Sequence, residues 1–285
     1  MRRTLRLASP YMRGDDVRNA QARLAKAGHL NAGNIDGIYG PVTGAATKRA
    51  KFWLGYSQNE LTPVYGDVLD DYLAGSRKPS ALMRTRAAQR RKNARDRLTI
   101  GEKAADRMVR WYDAGWKEYP AGSNVVPPLQ QLAKQLRLAA WYQRMGWPWC
   151  AFAVFTAALA EGSKAGKAGL REGKFNALYT PEIQAVANRG AYGLTVVSAS
   201  GIRKGTALLM DFDGGGVDHI GMTLGRVGEK VTAAGKRWTP GPGEVVTIEG
   251  NTSYNPGSKQ DEANGGCVAI RIRSTKIIPT AFTIT

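Results

Sequence analysis

Apolar residues recur at helical spacing in the first 75 residues of the chain. Val17, Ala20 and Leu24 fall on one face of a helix of about three turns. Two further helical patterns follow it, AATKRAKFWLG and VLDDYLAG. The pattern predicts three short helices joined by glycine-containing turns.

The rest of the chain changes from helical to strand-like periodicity. Thr99 and Glu102 have the spacing of a capping box at the start of a helix. The longest apolar run, WPWCAFAVFT at 147–156, predicts a buried helix that ends near Gly162. Short β-type runs broken by glycines then follow: LTVV, TALLMDF, HIGMTLG, VVTIEGN and CVAIRIR. Helices first and an antiparallel sheet afterwards predict an α+β domain.

Composition permits two domains, and the charge is unevenly distributed between them. The chain has 285 residues, 43% of them hydrophobic, and a formal net charge of +18. Residues 76–98 hold 9 Lys or Arg against 1 Asp, so they carry +8 of that charge. We predict that 76–98 is a solvated basic linker that can adhere to polyanions such as anionic cell-wall polymers.

The same charge raises the alternative of nucleic-acid binding. Both regions outside the linker are only mildly basic, and few aromatic residues stand among the basic ones to stack on bases. A DNA-binding helix-turn-helix is disfavoured because the connection from Gly28 to Pro41 is far longer than the roughly three or four residues of that motif. We therefore expect no nucleic-acid partner.

The sequence contains no apolar stretch with the length of a signal peptide or of a membrane span. We therefore expect the chain to begin in the cytoplasm, with its two cysteines, Cys150 and Cys267, as free thiols. Neither cysteine belongs to a CxxC motif, which a zinc site would need. Cys267 belongs to a strand pattern with no helix terminus to activate it, so we assign it no catalytic role.

Two segments of the first region, GDDVRNAQARLAKAG and IDGIYGPVTGAA, carry a family resemblance. They resemble the type-1 peptidoglycan-binding domain, a three-helix module of cell-wall hydrolases, over residues 9–75. One departure is Phe52-Trp53, where the family commonly has Phe-Gln. The resemblance implies bacterial peptidoglycan as the partner. We assign the substrate contacts to four loop residues: Asp36, Gly37, Tyr39 and Gly40.

The second region contains the residue types of a thiol hydrolase. Cys150 falls at the first turn of the apolar helix, where the helix dipole and unpaired backbone N–H groups favour a thiolate and can hold an oxyanion. His219 heads a strand. Glu249 and Asn251 project from one face of a later strand because side chains alternate, and such polar groups can orient an imidazole. If His219 faces Cys150, the thiol becomes a nucleophile.

These residues also carry a second family resemblance. The segments WPWCAFAVF, VDHIGMTLG and IEGNTS, with KEYPAGSN and WYQRMGWPWC upstream, resemble the CHAP family of cysteine- and histidine-dependent amidohydrolases and peptidases over residues 99–285. The resemblance implies a papain-like fold with Cys150 as nucleophile and His219 as general base and then acid. It implies Glu249 as the orienter of His219 and Asn251 as an auxiliary polar residue. We add Trp149 as a substrate-binding residue. The NlpC/P60 family is the second candidate for the resemblance, because its members usually show Asp-Cys-Ser at the nucleophile.

We expect neither a metal nor a cofactor. Some CHAP proteins bind calcium through acidic residues just ahead of the nucleophile, but no Asp or Glu stands between Glu118 and Cys150. Asp211, Asp213 and Asp218 form a looser acidic group, which we interpret as a solvated loop.

Together these features predict a modular peptidoglycan hydrolase: a binding module at 9–75, a linker at 76–98 and a catalytic domain at 99–285. We expect a monomeric phage endolysin that waits in the host cytoplasm and acts at the cell wall. An N-acetylmuramoyl-L-alanine amidase is the favoured reaction, and a stem or cross-bridge endopeptidase is the alternative. A virion-associated lysin also stays open.

Overall fold

The structure of the protein is a computed structural model that describes residues 3–30, 32–96, 98–144, 146–253 and 265–285. The chain divides into two compact units, Met1–Arg97 and Leu98–Thr285. Arg97 of the predicted linker and Met145, just ahead of the predicted catalytic helix, lie outside the described residues.

The first unit is helical. Its helices are α1 (Asp15–Lys26), α2 (Pro41–Leu54), α3 (Asp67–Ala74) and α4 (Ala81–Asp96). The three helices predicted from periodicity are α1 to α3, and α2 begins earlier than predicted because a proline opens its first turn. Their apolar faces enclose one core, which includes Val17, Ala20, Leu24, Tyr39, Ala46 and Leu69.

Helix α4 occupies most of the segment that we interpreted as a solvated linker. Its Ala87 is buried, and Arg90 donates hydrogen bonds to the carbonyl oxygens of Phe52 and Tyr56 at the end of α2. The Arg90 guanidinium also lies 4.3 Å from the centre of the Phe52 ring. A cation at a helix C-terminus satisfies carbonyl groups that have no partner within the helix. Part of the charge of this segment, at Arg90, therefore serves packing within the first unit.

The second unit begins with helices, as predicted. Thr99 and Glu102 form the expected capping box ahead of the first of them. The last turn of the predicted buried helix precedes Gly162, and that helix is buried from Cys150 to Leu159 because it is apolar on all sides. None of the helices among the described residues is long and apolar enough to cross a membrane. The helices are α5 (Ile100–Asp113), α6 (Pro127–Gln135), α7 (Cys150–Ala160), α8 (Lys164–Gly166) and α9 (Thr180–Asn188).

An antiparallel sheet follows the helices, which confirms the α+β prediction. Six strands lie in the order β1-β8-β2-β3-β6-β7, and β4 pairs with β5 in a separate hairpin. The hairpin and β8 were not predicted. The strands are β1 (Leu194–Val196), β2 (Ala207–Met210), β3 (His219–Thr223), β4 (Val231–Ala233), β5 (Lys236–Trp238), β6 (Glu244–Thr252), β7 (Cys267–Ser274) and β8 (Thr280–Ile284).

Helix α7 packs against β3 and β6 in the middle of the sheet. Ile220 and Met222 of β3 and Ile248 of β6 share one core with the side chains of α7. This packing brings the predicted nucleophile helix to the two strands that carry His219 and Glu249.

The contact of α4 with α2 predicts unequal effects of two glycine substitutions. Gly55 and Gly75 both end helices in the left-handed region, with φ of +90° and +79°. A Cβ atom on Gly55 would lie only 1.9 Å from the carbonyl oxygen of Met83 in α4, whereas nothing lies within 4 Å at Gly75. In denaturant unfolding of the full chain, we expect Gly75→Ala to cost about 1 kcal/mol and Gly55→Ala about 2–4 kcal/mol. Equal losses would contradict the packing of α4 on α2.

Candidate active site

Cys150 is the first residue of α7 and retains 5% of its surface exposed. The residue before it, Trp149, occupies the N-cap position but provides no side-chain cap. Its indole N–H instead donates a 3.0 Å hydrogen bond to Oε1 of Glu118, whose own backbone N–H donates to the carbonyl of Gly266. The start of the helix is therefore fixed by a buried tryptophan, and its first backbone N–H groups receive no side-chain cap from Trp149.

His219 lies at the start of β3 with no exposed surface. Its Nε2 is 3.1 Å from Oε2 of Glu249. Its Nδ1 is buried and makes no well-aligned hydrogen bond to any described residue. Burial by itself would lower the pKa of His219, but interaction with Cys150, followed by that with Glu249, raises it to about 9.

Glu249 is fully buried, and two charged groups compensate its carboxylate. Arg273 of β7 donates from Nε to Oε1 at 2.9 Å and from a terminal nitrogen to Oε2 at 2.7 Å, while Thr247 donates its hydroxyl to Oε1. Burial would raise the pKa of Glu249, but Arg273 first and then His219 hold it well below its usual value. The carboxylate therefore stays charged beside the imidazole.

The pairing of strands brings these groups together. Gly221 of β3 pairs with Glu249 of β6, two residues after His219. A Cβ atom on Gly221 would lie 2.6 Å from Cγ of Glu249, so only glycine leaves room for this side chain to cross β3. The ring of Phe212 links two of these groups. The Arg273 guanidinium lies 4.7 Å from the centre of the Phe212 ring, and that ring also contacts the ring of His219.

The side-chain direction of Asn251 does not follow from simple alternation of side chains along β6. The pairing of β6 with β7 shifts register between Glu249 and Thr252, and Asn251 has φ of +57°. A bulge of this kind redirects the side chains that follow it. The argument that put Asn251 on the face of Glu249 therefore does not hold, although Asn251 is buried in the same region.

Trp149 was assigned to substrate binding, but its side chain lies in the core. It is 2% exposed and packs against Gly250, where a Cβ atom would approach the indole to 2.7 Å. In this structure its observed contacts position Cys150, and no surface is presented to a substrate.

The four loop residues assigned to substrate binding in the first unit mainly hold their own loop. Tyr39 is fully buried, with its hydroxyl 2.7 Å from that of Thr47, and Gly37 is also buried. The side chain of Gln21 donates to the Asp36 carboxylate and accepts from the Gly37 N–H, both at 2.8 Å. Asp36 is exposed and Gly40 is partly exposed. These two alone keep a surface that a ligand can reach.

The acidic group near His219 forms turns. The carboxylate of Asp211 accepts from the N–H of Gly214, and that of Asp213 accepts from the N–H of Gly215. Among the described residues, no group of three or more His, Cys, Asp or Glu side chains is arranged to hold a metal ion.

Two residues of the site were not predicted, Arg273 and Glu118. The only signal for Arg273 was a charged residue within the apolar pattern of β7, in CVAIRIR. No local pattern singles out Glu118, because its partner Trp149 lies 31 residues away. Cys267 is a buried thiol that forms no disulfide with a described residue and donates to the Thr252 carbonyl.

Comparison with known families gives one match. Residues 13–50 match the family model "Putative peptidoglycan binding domain". Comparison with curated proteins and with solved structures gives no match. The match lies within the first unit and supports the predicted binding module, with peptidoglycan as the partner. It suggests a cell-wall-associated protein.

The surroundings of His219 predict that the pKa of its ring depends on Cys150. In NMR titration of the full chain, the His219 ring should titrate near pH 9, because Cys150 and Glu249 favour its charged form. Cys150→Ala removes the larger favourable contribution, so burial should then lower the pKa of His219.

The other histidine, His29, is the internal reference for this titration. Burial and the charge of Arg49 hold its pKa below the ordinary value of 6.5 in the first unit. It should titrate identically in both proteins. An unchanged pKa of His219 in Cys150→Ala would mean that the thiol does not interact with the ring.

The buried ion pair predicts that substitutions of two arginines on β7 differ greatly in their effect on the free energy of unfolding. Arg273→Gln leaves the Glu249 carboxylate without its bidentate partner, so the free energy of unfolding should fall by about 3–5 kcal/mol. Arg271→Gln is the matched control on the same strand, because Arg271 is half-buried and donates to the Ser253 carbonyl. Its loss should be nearer 1 kcal/mol. Denaturant unfolding of the two variants measures the difference, and similar losses would argue against a buried charge at Glu249.

Proposed function

We propose that this protein is a peptidoglycan hydrolase that cleaves an amide bond with Cys150 as nucleophile. The observation that carries the proposal is the buried, hydrogen-bonded series His219, Glu249 and Arg273, together with Cys150 at the start of α7, which raises the pKa of His219. A thiol at a helix N-terminus, beside an imidazole held by a carboxylate, is the arrangement that nucleophilic catalysis by cysteine requires. The resemblance of 99–285 to the CHAP family is in accord with it.

The reaction follows from the protonation states of the pair. With the proton on His219, the Cys150 thiolate attacks the amide carbonyl carbon and forms a carbon–sulfur bond. The imidazolium then donates its proton to the leaving amine as the carbon–nitrogen bond breaks, which leaves a thioester. His219 next takes a proton from water, whose oxygen attacks the thioester carbonyl carbon, and the carbon–sulfur bond breaks to release the Cys150 thiolate. This restores the thiolate and the imidazolium, while the carboxylic acid product departs and loses its proton to solvent.

Helix α7 supplies the groups that stabilise the developing negative charge. Its N-cap residue Trp149 gives no side-chain cap, so the N–H groups of Cys150 and Ala151 remain available at the helix terminus. An oxyanion on the attacked carbonyl gains from these donors and from the helix dipole. Glu249 holds the imidazole in orientation and favours its cation throughout.

The first unit holds the enzyme on its insoluble substrate. Binding through residues 13–50 raises the local concentration of the catalytic unit at the wall without any new catalytic contact. We propose a phage endolysin of the amidase type, held in the host cytoplasm until lysis. An endopeptidase and a virion-associated lysin are the alternatives, and mass spectrometry of the released muropeptides distinguishes the two reactions.

Wall clearing by cysteine variants tests the proposal. Cys150→Ala should lose the clearing of purified cell walls, by a factor of about 10³ or more, because it removes the nucleophile. Cys267→Ala is the matched control: it removes the other buried thiol and should retain clearing of any walls that the folded protein can bind.

Binding of the same walls in a pull-down separates catalysis from attachment. Cys150→Ala should bind them as the unmodified protein does, since the matched domain lies in the other unit. Clearing that survives in Cys150→Ala would reject the proposed function.

A further inference from the structure

A cavity of about 600 Å³ opens in the second unit beside the start of α7. Aromatic side chains dominate the part of its wall that the structure describes, among them Trp141, Trp147, Phe175 and Tyr179. Trp147 is 66% exposed, Tyr179 56% and Trp141 51%. Large aromatic rings that stay exposed around a concavity of this size mark a binding site rather than a packing surface.

The wall of the cavity selects an uncharged ligand. Asn176 is its polar amide, and none of the described lining residues is an Asp, Glu, Lys, Arg or His. A peptidoglycan stem peptide carries free carboxylates, which would be desolvated here without a cation to pair with. A pyranose ring of the glycan strand instead presents a flat face of C–H groups to aromatic rings and its hydroxyl and amide groups to the rim.

The cavity lies next to the nucleophile along the chain and in space. Trp147 and Pro148 line it, and Cys150 follows Trp147 by three residues, a span of at most roughly 11 Å. Tyr142, also in the wall, stacks on Phe152 of α7 with ring centres 5.5 Å apart and planes 10° from parallel. The cavity therefore borders the segment that leads directly into the Cys150 helix.

We propose that this cavity is a saccharide subsite, which holds the muramoyl sugar of a peptidoglycan strand while Cys150 attacks the amide that joins the sugar to the first alanine. The proposal rests on the proposed hydrolase function and selects the amidase reaction within it. An endopeptidase that cuts further along the stem would place peptide, with its charges, against the same neutral aromatic wall.

Glycan binding by an inactive protein tests the subsite without relying on turnover. The full chain with Cys150→Ala is titrated with tetra-N-acetylchitotetraose, an uncharged N-acetylated glycan, and separately with a synthetic stem tetrapeptide. Adding Trp147→Ala should weaken glycan binding by about tenfold or more, because it removes an exposed stacking face. Trp141→Ala should act in the same direction and serves as the second variant.

Tyr119→Ala is the matched control, since Tyr119 is an exposed aromatic of the same unit, at 76%, that does not line the cavity. It should leave glycan binding within about twofold of the parent protein. Glycan affinity that is absent, or unchanged in both tryptophan variants, would overturn the subsite. Tetrapeptide binding that depends on Trp147 would also overturn it.

The failure of the subsite is distinguishable from the failure of the hydrolase. If Cys150→Ala still clears walls, the catalytic proposal fails whatever the glycan titration gives. If Cys150 is required but Trp147→Ala leaves glycan binding and the released muropeptides unchanged, only the subsite fails.

Discussion

A single buried carboxylate joins three neighbouring strands of the sheet, β3, β6 and β7. Glu249 has no exposed surface, and an isolated charge in that position would cost several kcal/mol or more. Its compensation comes from Arg273 on one neighbouring strand and from His219 on the other. A slip of one residue in either pairing would turn these groups to opposite faces of the sheet and leave the charge unpaired. The register is therefore fixed by electrostatics as well as by apolar packing.

The contact between Glu249 and His219 also concerns the start of helix α7. His219 meets the carboxylate through Nε2, and Cys150 at the start of the helix raises the pKa of the same ring. The helix start is set independently, because Trp149 is anchored to Glu118 and packs against Gly250 of β6. Two buried polar contacts thus hold the imidazole and the start of the helix in place.

Periodicity and spacing predicted α1 to α3, α5 with its capping box at Thr99, α7 and the antiparallel sheet, because each has a pattern of residues close in sequence. Similar local signals brought out Cys150, His219 and Glu249. Arg273 could not be assigned, since its partner is 24 residues away and only the register of β6 and β7 joins them. The direction of Asn251 could not be inferred from alternation, because a bulge interrupts the pairing beside it. The burial of Trp149 likewise depends on a glycine in a distant strand.

Charge is used differently in the two units. The basic segment at 76–98 was interpreted as a solvated linker, yet Arg90 and Arg91 donate to carbonyl groups at the end of α2, which fixes these cations on the unit that contains the matched peptidoglycan-binding domain. Hydrogen bonds to carbonyls leave the positive charge in place, so the attraction to anionic wall polymers that we propose would belong to the same unit as the matched domain. In the second unit the charges around Glu249 are buried and mutually compensated. In the proposed function, long-range attraction and bond cleavage therefore draw on separate sets of ionised groups, of which salt screens the exposed set much more strongly than the buried one.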